Sequence, residues 1–536
     1  MIIWKALEIS DTLIRRKFVE IFGDRERILT NRQESIDLVE PILVSLQTKF
    51  CDWICREKTQ IVIKELYKVL DRCYIFYYKE KKDRVKREKE NIRCNAVDEL
   101  LEMNRNIARN VIDSTNIWIE NTILLQSPKK EEVIFWQNSY LNDELFVDLY
   151  IYGLLSQVKS LLCLSAKFEP KELFYGLRIT PNEDIPAEIK RDSPIIYNNS
   201  YIGGNQNVFS QDNELLKANN TVFGVGFKKA YGGEFLLFLG VMDYFQKKIQ
   251  AIVEIGGIII PKCQFTEMLQ KATNFVVKEE FITDNFMLTR EGVKKQLKKN
   301  DSIIWTMGTN KIRHELNPFL YLESDQVMIS HCALRQSIEL WVSIMKNGGM
   351  CYSNIKDDLT AAMGKKNKEL SSNLVNQLRK ILQNHYEPTF DEIDVKYKRI
   401  YGRRKIDYGD FDLIFYSEEI NELFLIEAKF FSDSLTSSGL VTDYEKLFRK
   451  DGYYDRCRRR YDLVMKEPEI LKTFVGIEGS VNTHFLFVSS KHLEIELQDK
   501  ERIVTFLCIQ NLENYLEGRF LDIADDSIVV RPTMMI

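Results

Sequence analysis

Two short segments carry residues that could do chemistry together: YGDFDLIFY at residues 408–416 and LFLIEAKFF at residues 423–431. Each is an apolar run interrupted by charge. Side chains alternate along a strand, so Leu423, Leu425, Glu427 and Lys429 share one face while Phe424, Ile426 and Ala428 share the other. Asp410 and Asp412 share a face of the preceding run in the same way. Phosphodiester hydrolysis needs a divalent cation to offset developing charge and to acidify water, and hard cations prefer carboxylate, carbonyl and water oxygens. Asp412, Glu427 and the carbonyl of Ala428 form such a set, and Asp410 could replace or supplement Asp412. Lys429 would reach the same phosphate, orienting the attacking water or stabilising charge in the transition state.

The tripeptide E-x-K alone says little, since Glu80-Lys81-Lys82, Glu169-Pro170-Lys171 and Glu188-Ile189-Lys190 also match it. Only Glu427-Ala428-Lys429 ends an apolar strand one hairpin after a G-D-F-D strand. The bland alternative is an ion pair between adjacent strands. Against it, two clustered carboxylates repel without a cation.

The elements that must position these residues read as α-β-β-β-α-β. A helix with Leu370, Leu374, Leu378, Ile381 and Leu382 on its apolar face ends near His385, before Pro388. Strands follow at 392–401, 410–416 and, after a turn at 417–421, at 422–430, as an antiparallel meander. A helical segment spans 442–466, and an apolar strand spans 483–489. On that segment Lys446, Arg449, Tyr453, Arg456 and Arg460 fall at three- and four-residue steps, a basic stripe suited to a phosphate backbone. The same stripe could be a solvated face paired with Asp443, Glu445, Asp451, Asp455 and Asp462, and Gly452 could break the helix.

These motifs and their order resemble the PD-(D/E)XK nuclease superfamily, the fold of many restriction endonucleases, Holliday junction resolvases and phage-defence nucleases. The resemblance covers roughly residues 366–490. It implies a restriction-endonuclease-like core with Asp412 and Glu427 as metal ligands and Lys429 as the catalytic lysine. It also implies Mg²⁺ or Mn²⁺ as cofactor and DNA as substrate, in restriction or antiphage defence. The superfamily's proline is absent, Gly409-Asp410-Phe411 standing before Asp412. Some members carry a metal-facing glutamate on the first core helix; here Glu369 is the candidate, slightly early in the turn. Two other readings stay open. One is a noncatalytic nuclease-fold scaffold or DNA-binding module. The other is a subunit of a defence complex, gated by a partner ATPase or a sensed component.

A chain of 536 residues, with 45% hydrophobic and 29% charged residues, fits an α+β multidomain protein. Residues 1–165 read as a helical domain for oligomerisation, partner docking or nucleic-acid contact, 166–352 as a mixed α/β domain, and 353–536 as the nuclease domain. Within the first, the run from Lys79 to Asn91 holds seven basic and four acidic residues. It reads as a solvated helix face, a phosphate contact or an arm that pairs with a second subunit. In the middle region the apolar segments 221–227, 234–241 and 252–260 are expected to be strands, and 196–220 a long loop. Gly224-Val225-Gly226 lacks the companions of a phosphate-binding loop, and no G-K-[ST] occurs, so no internal ATPase is expected.

A net charge of −4 excludes a nonspecific polycation, so any nucleic-acid contact must be local. The ten cysteines form no C-x-x-C pair and the five histidines stand apart, which points to reduced, mostly buried thiols and to metal chemistry on carboxylates. The first residues lack a signal-peptide core, and no apolar run reaches membrane-spanning length, so a cytoplasmic protein is expected. The Lys-, Ile- and Asn-rich composition suggests a bacterial genome. Cutting both strands of a duplex with one site per chain favours a dimer.

Overall fold

The structure, a computed structural model, describes residues 11–22, 32–89, 95–126, 135–137, 142–164, 168–174, 176–181, 215–253, 256–273, 278–295, 297, 301–304, 314–348, 356–431, 446–447, 449–490, 504–520, 529, 531 and 533–536. The expected domain boundaries at 165/166 and 352/353 lie outside these residues, as does most of the expected loop at 196–220. The side chains of the basic run after Lys79 are likewise outside them.

The N-terminal region is helical, as its spacing dictates: α1 (Asp11–Phe22), α2 (Arg32–Arg56), α3 (Thr59–Lys89), α4 (Asn95–Leu125) and α5 (Asp143–Leu164), with a short β1 (Phe135–Gln137) before α5. A hairpin, β2 (Phe168–Phe174) and β3 (Gly176–Pro181), follows. The middle region holds α6 (Val222–Tyr231), α7 (Phe235–Gln250), β4 (Gly256–Pro261), α8 (Lys262–Ala272), α9 (Glu280–Phe286), β5 (Met287–Leu288), α10 (Arg290–Lys294), β6 (Phe319–Leu322), β7 (Gln326–Ser330) and α11 (His331–Asn347). Its strands join β1 in one sheet, ordered β1-β4-β7-β6-β5. Alternation sends Ile259, Leu320, Leu322 and Met328 into a core with the N-terminal helices. Ile258, Ile260, Phe319, Val327 and Ile329 enter a second core with α6, α7, α8 and α11. A sheet buried on both faces must be apolar throughout, which is why these strands show no polar alternation.

Two of the expected strands are helices. Residues 221–227 belong to α6, where Phe223, Phe227 and Ala230 recur at helical spacing and are buried. Thr221 caps its start by accepting the Gly224 N–H at 3.1 Å, and Gly232 at φ 80° closes it. Residues 234–241 begin α7, whose buried Phe235, Phe238, Val241, Met242, Phe245 and Ile249 show a period of 3.6 that a short window hid. The third segment contains β4.

A single 29-residue helix, α12 (Asp357–His385), leads into the C-terminal region. Its first turns place Leu359 and Met363 in the middle core. Its later turns place Leu370, Leu374, Val375, Leu378 and Leu382 against the next sheet. Each such side chain contributes about 1.5–3 kcal/mol when fully buried, so packing holds this helix at both ends.

That sheet contains β8 (Phe390–Lys396), β9 (Asp410–Ser417), β10 (Glu422–Lys429), β11 (Asn482–Ser489) and β12 (Thr505–Cys508), ordered β12-β11-β10-β9-β8, with β13 (Met534–Met535) beside β11. Strands β8, β9 and β10 are antiparallel neighbours, while β10, β11 and β12 run parallel. The parallel step from β10 to β11 requires a crossover, which contains α14 (Tyr453–Lys466) and α15 (Pro468–Val475). These pack on the face bearing Leu423 and Leu425. Helix α12 and the short α16 (Leu512–Leu516) cover the opposite face. The strand expected at 392–401 ends at Lys396, where Tyr397, Ile400 and Tyr401 turn inward at helical spacing as α13 (Tyr397–Tyr401).

Candidate catalytic site

Glu427 and Lys429 project from the end of β10 toward the α14 side of the sheet, the face shared with Leu423 and Leu425. The last ladder pair between β9 and β10 is Ile426 with Leu413, so Asp412 lies beside Glu427 just where the ladder stops. The freed N–H of Ala428 donates to Asp412 Oδ2 at 2.7 Å. The strand end is anchored from β11: the Ser490 N–H donates to the Lys429 carbonyl at 3.1 Å and Ser490 Oγ accepts the Phe431 N–H at 2.9 Å.

Three oxygens converge on the Lys429 ammonium: Asp412 Oδ2 at 2.7 Å, Glu427 Oε1 at 2.6 Å and the Ala428 carbonyl at 3.1 Å. The other Glu427 oxygen, Oε2, accepts from Arg460 Nη2, and Arg460 Nη1 donates to the Asp410 carbonyl. Two carboxylates and two cations therefore cancel within one cluster. Burial and the neighbouring Glu427 raise the Asp412 pKa. Burial would raise Glu427 too, but Arg460 and Lys429 outweigh it and hold that carboxyl below its ordinary value. Burial opposes the charge on Lys429, yet Glu427 and Asp412 reverse that and keep it firmly protonated.

The donor set, two carboxylates and a carbonyl, is of the kind a hard cation prefers, and here all three oxygens are taken by the Lys429 ammonium. Among the described residues no group of three or more His, Cys, Asp or Glu side chains gathers to hold a metal. A bound cation would therefore rest on Asp412, Glu427, the Ala428 carbonyl and water. Beneath the Glu427–Arg460 pair, Phe411, Leu425, Cys457, Phe485 and Val504 line a small cavity with room for about one water molecule. Burial and the nearby Glu427 push the Cys457 thiol up to about 12, so it is neutral and no nucleophile.

The other residues singled out in the sequence divide. Gly452 caps the start of α14 and interrupts the helical segment expected at 442–466, the break that its position allowed; 442–445 and 448 lie outside the described residues. A side chain at Gly452 would strike the carbonyls of Leu447 and Arg449 at 2.6 and 2.7 Å. Tyr453 stands over the site, its ring 5.5 Å from the Lys429 ammonium and 5.2 Å from the Arg456 guanidinium. Lys446 lies 5.8 Å over the Phe431 ring, itself next to Tyr453. Arg449 is exposed in the turn before α14. Arg460 is 4% exposed and faces the carboxylates, so it belongs to the site's interior and not to an outer phosphate-binding stripe. Asp410 is exposed, at the edge of the cluster. Glu369 is exposed on α12, which packs on the opposite face of the sheet, so it does not join Asp412 and Glu427.

The inward role of Arg460 and the left-handed backbone at Asp394 escaped sequence reading. Arg460 follows Tyr453 and Arg456 at helical steps of seven and four, which marked the face correctly but not that the face points inward. Asp394 has φ 53°, and its neighbours Ile393 and Val395 pair with Leu413 and Phe411, which sets it opposite Asp412 in the register. No sequence signal marks a left-handed aspartate inside a strand.

Comparison with protein-family models, with curated proteins and with solved structures returns no significant match for this chain.

Proposed function

We propose that the C-terminal region is a PD-(D/E)XK-type nuclease that hydrolyses DNA phosphodiester bonds with Mg²⁺ or Mn²⁺. The observation that carries this reading is the convergence of Asp412, Glu427 and the Ala428 carbonyl on Lys429, at the ends of two adjacent strands and beside a Tyr453–Arg456 pair. A purely structural ion pair would need neither the second carboxylate nor three oxygens around one ammonium.

The cation would supply Lewis acidity and a more acidic bound water. Asp412 and Glu427 hold negative charge where it is needed, and the two β-strands fix their separation. Lys429, protonated and tethered at the strand end, neutralises charge on the phosphate oxygens as the bond to the leaving oxygen breaks. Tyr453 and Arg456 offer a planar surface and a cation next to the scissile group. A role in restriction or antiphage defence follows from the resemblance.

One observation favours a gated form of the same activity. Arg460 already satisfies Glu427, and the cluster is electrically neutral, so a cation has to displace an existing pair. A partner subunit, including an ATPase, could provide that displacement.

The test sets wild type beside Lys429→Ala on supercoiled, linear duplex and single-stranded DNA with Mg²⁺, Mn²⁺ or EDTA. Cleavage abolished by both EDTA and the substitution supports the nuclease. Cleavage that survives Lys429→Ala overturns the site, and DNA binding without cleavage by either protein moves the reading to the gated form.

A further inference from the structure

We propose that the β8–β9 connection, residues 396–409, is the surface that docks the DNA phosphate backbone. This rests on the nuclease reading and adds the substrate-binding face to it. The first ten residues of the connection, KYKRIYGRRK at 396–405, hold six basic residues and no acidic one, and the remaining four add only Asp407, in a chain whose net charge is −4.

Its place in the fold is what gives the charge meaning. Lys396, the last residue of β8, pairs in register with Asp410, the first of β9. The connection therefore leaves and re-enters the sheet at the edge where Asp412, Glu427 and Lys429 lie. Arg456 lies against this connection, its Cδ 3.9 Å from where a Cβ at Gly409 would stand, so a duplex lying across that edge would meet both.

The segment is also held in shape. Tyr397 and Tyr401 are buried in the sheet core, the Tyr397 hydroxyl donates to the Ile406 carbonyl at 3.3 Å, and Tyr397 packs edge-on to Tyr408 at 5.5 Å. Arg404 Nε donates to the Tyr401 carbonyl at 3.1 Å, and Gly402 at φ 71° makes the turn. Two of the six cations serve this anchoring. Arg399 pairs with Glu392 and lies 5.1 Å over Phe474, and Arg404 pairs with Glu467 at 2.5 Å. Lys396, Lys398, Arg403 and Lys405 are exposed and make no ion pair among the described residues. Four exposed cations against the single carboxylate of Asp407, on a preformed backbone, cost little ordering on contact with a polyanion. Each phosphate neutralised releases counterions, so such a surface announces itself in the salt dependence of binding.

The experiment measures binding of a short DNA duplex by fluorescence anisotropy in EDTA, so that no cleavage intervenes, from 50 to 200 mM salt. It compares wild type, Lys398→Gln/Arg403→Gln/Lys405→Gln, and a control with Lys229→Gln/Lys248→Gln in the middle region. The loop variant is expected to bind at least about tenfold more weakly at 100 mM salt, with the log–log salt slope reduced by about 3, while the control matches wild type. Unchanged melting of all three proteins shows that the fold is kept. Equal affinity and slope for loop variant and wild type would overturn the proposal, as would tighter binding of an RNA duplex of equal length. Cleavage is assayed separately with Mg²⁺. Wild type that cuts while the loop variant binds normally removes the docking surface and leaves the nuclease. Binding through the loop without cleavage keeps the docking surface and moves the nuclease reading to its gated form.

Discussion

Arg460 and Glu427 face each other inside the protein, 4% and 9% exposed, with Arg460 on one Glu427 oxygen and Lys429 on the other. Removing one partner of a buried pair costs far more than the pair itself contributes, because the other charge stays behind. Arg460→Met is expected to destabilise the fold by about 3–5 kcal/mol in chemical denaturation at pH 7. The acid side supplies a second readout. Glu427 has a lowered pKa, so its contribution is complete above its ordinary value and is lost as pH falls through the folded one. Without Arg460 that acid-side loss shrinks. If Mg²⁺ occupies the same carboxylate, adding it should restore more stability to Arg460→Met than to wild type. A variant as stable as wild type, with an unchanged acid limb, would show that the pair carries no such weight.

Helices α6 and α12 cross at Gly226 and Ala362, so closely that a methyl group on Gly226 would overlap the Ala362 side chain. This crossing ties the middle core to the helix that supports the second sheet. Gly226→Ala is expected to cost about 1–3 kcal/mol through overpacking, despite the better helix propensity of alanine. Ala362→Gly in the same chain should recover part of that loss, giving a coupling energy in a double-mutant cycle. Strict additivity of the two substitutions would mean that the helices do not pack as described.

Legibility in the sequence followed the length of the pattern. The hairpin of β9 and β10 was readable because alternation over eight residues has one solution, and its charged positions stood out against apolar neighbours. Helix α12 was readable from Leu370, Leu374, Leu378 and Leu382, although its first turns, which serve another core, were not. Residues 221–227 and 234–241 misled because seven or eight apolar residues suit a buried strand and a buried helix equally. Lys396 to Tyr401 was taken as the end of a strand, which concealed the basic connection that begins there. Arg460 was visible as a basic residue on a stripe, but which way a stripe faces depends on tertiary packing.

The two faces of the second sheet separate the acidic candidates. Asp412 contacts Lys429 and the Ala428 N–H, whereas Glu369 is exposed on the helix covering the opposite face. Asp412→Asn is expected to lower cleavage at least about a hundredfold, on the scale of losing one preorganised charged group. Glu369→Ala should leave it within about twofold, as for a surface substitution away from the site. Initial rates on one DNA substrate at fixed Mg²⁺ decide this, and a comparable loss in Glu369→Ala would require the helix to reach the site from a different position.

His314 offers a prediction independent of catalysis. It is buried between α3 and α4, its Nδ1 donating to Asn116 Oδ1 at 2.5 Å, its Nε2 accepting from the Tyr67 hydroxyl, and its backbone N–H donating to Glu120 Oε1 at 3.0 Å. One ring nitrogen gives and the other takes, which is the neutral ring. Burial pushes its pKa down to about 3. Between that value and the ordinary value of about 6.5 the unfolded chain binds a proton that the folded chain refuses, so stability falls as pH falls. The slope from this one group approaches about 1.4 kcal/mol per pH unit. His314→Gln loses hydrogen bonds and should be less stable than wild type at pH 7, yet its acid slope should be shallower. Urea melts at pH 7, 6, 5 and 4.5 should therefore show the gap between the two proteins narrowing by about 1 kcal/mol per pH unit below pH 6. A gap that stays constant would place a charged or solvated histidine at this position, contrary to the hydrogen bonds that hold it.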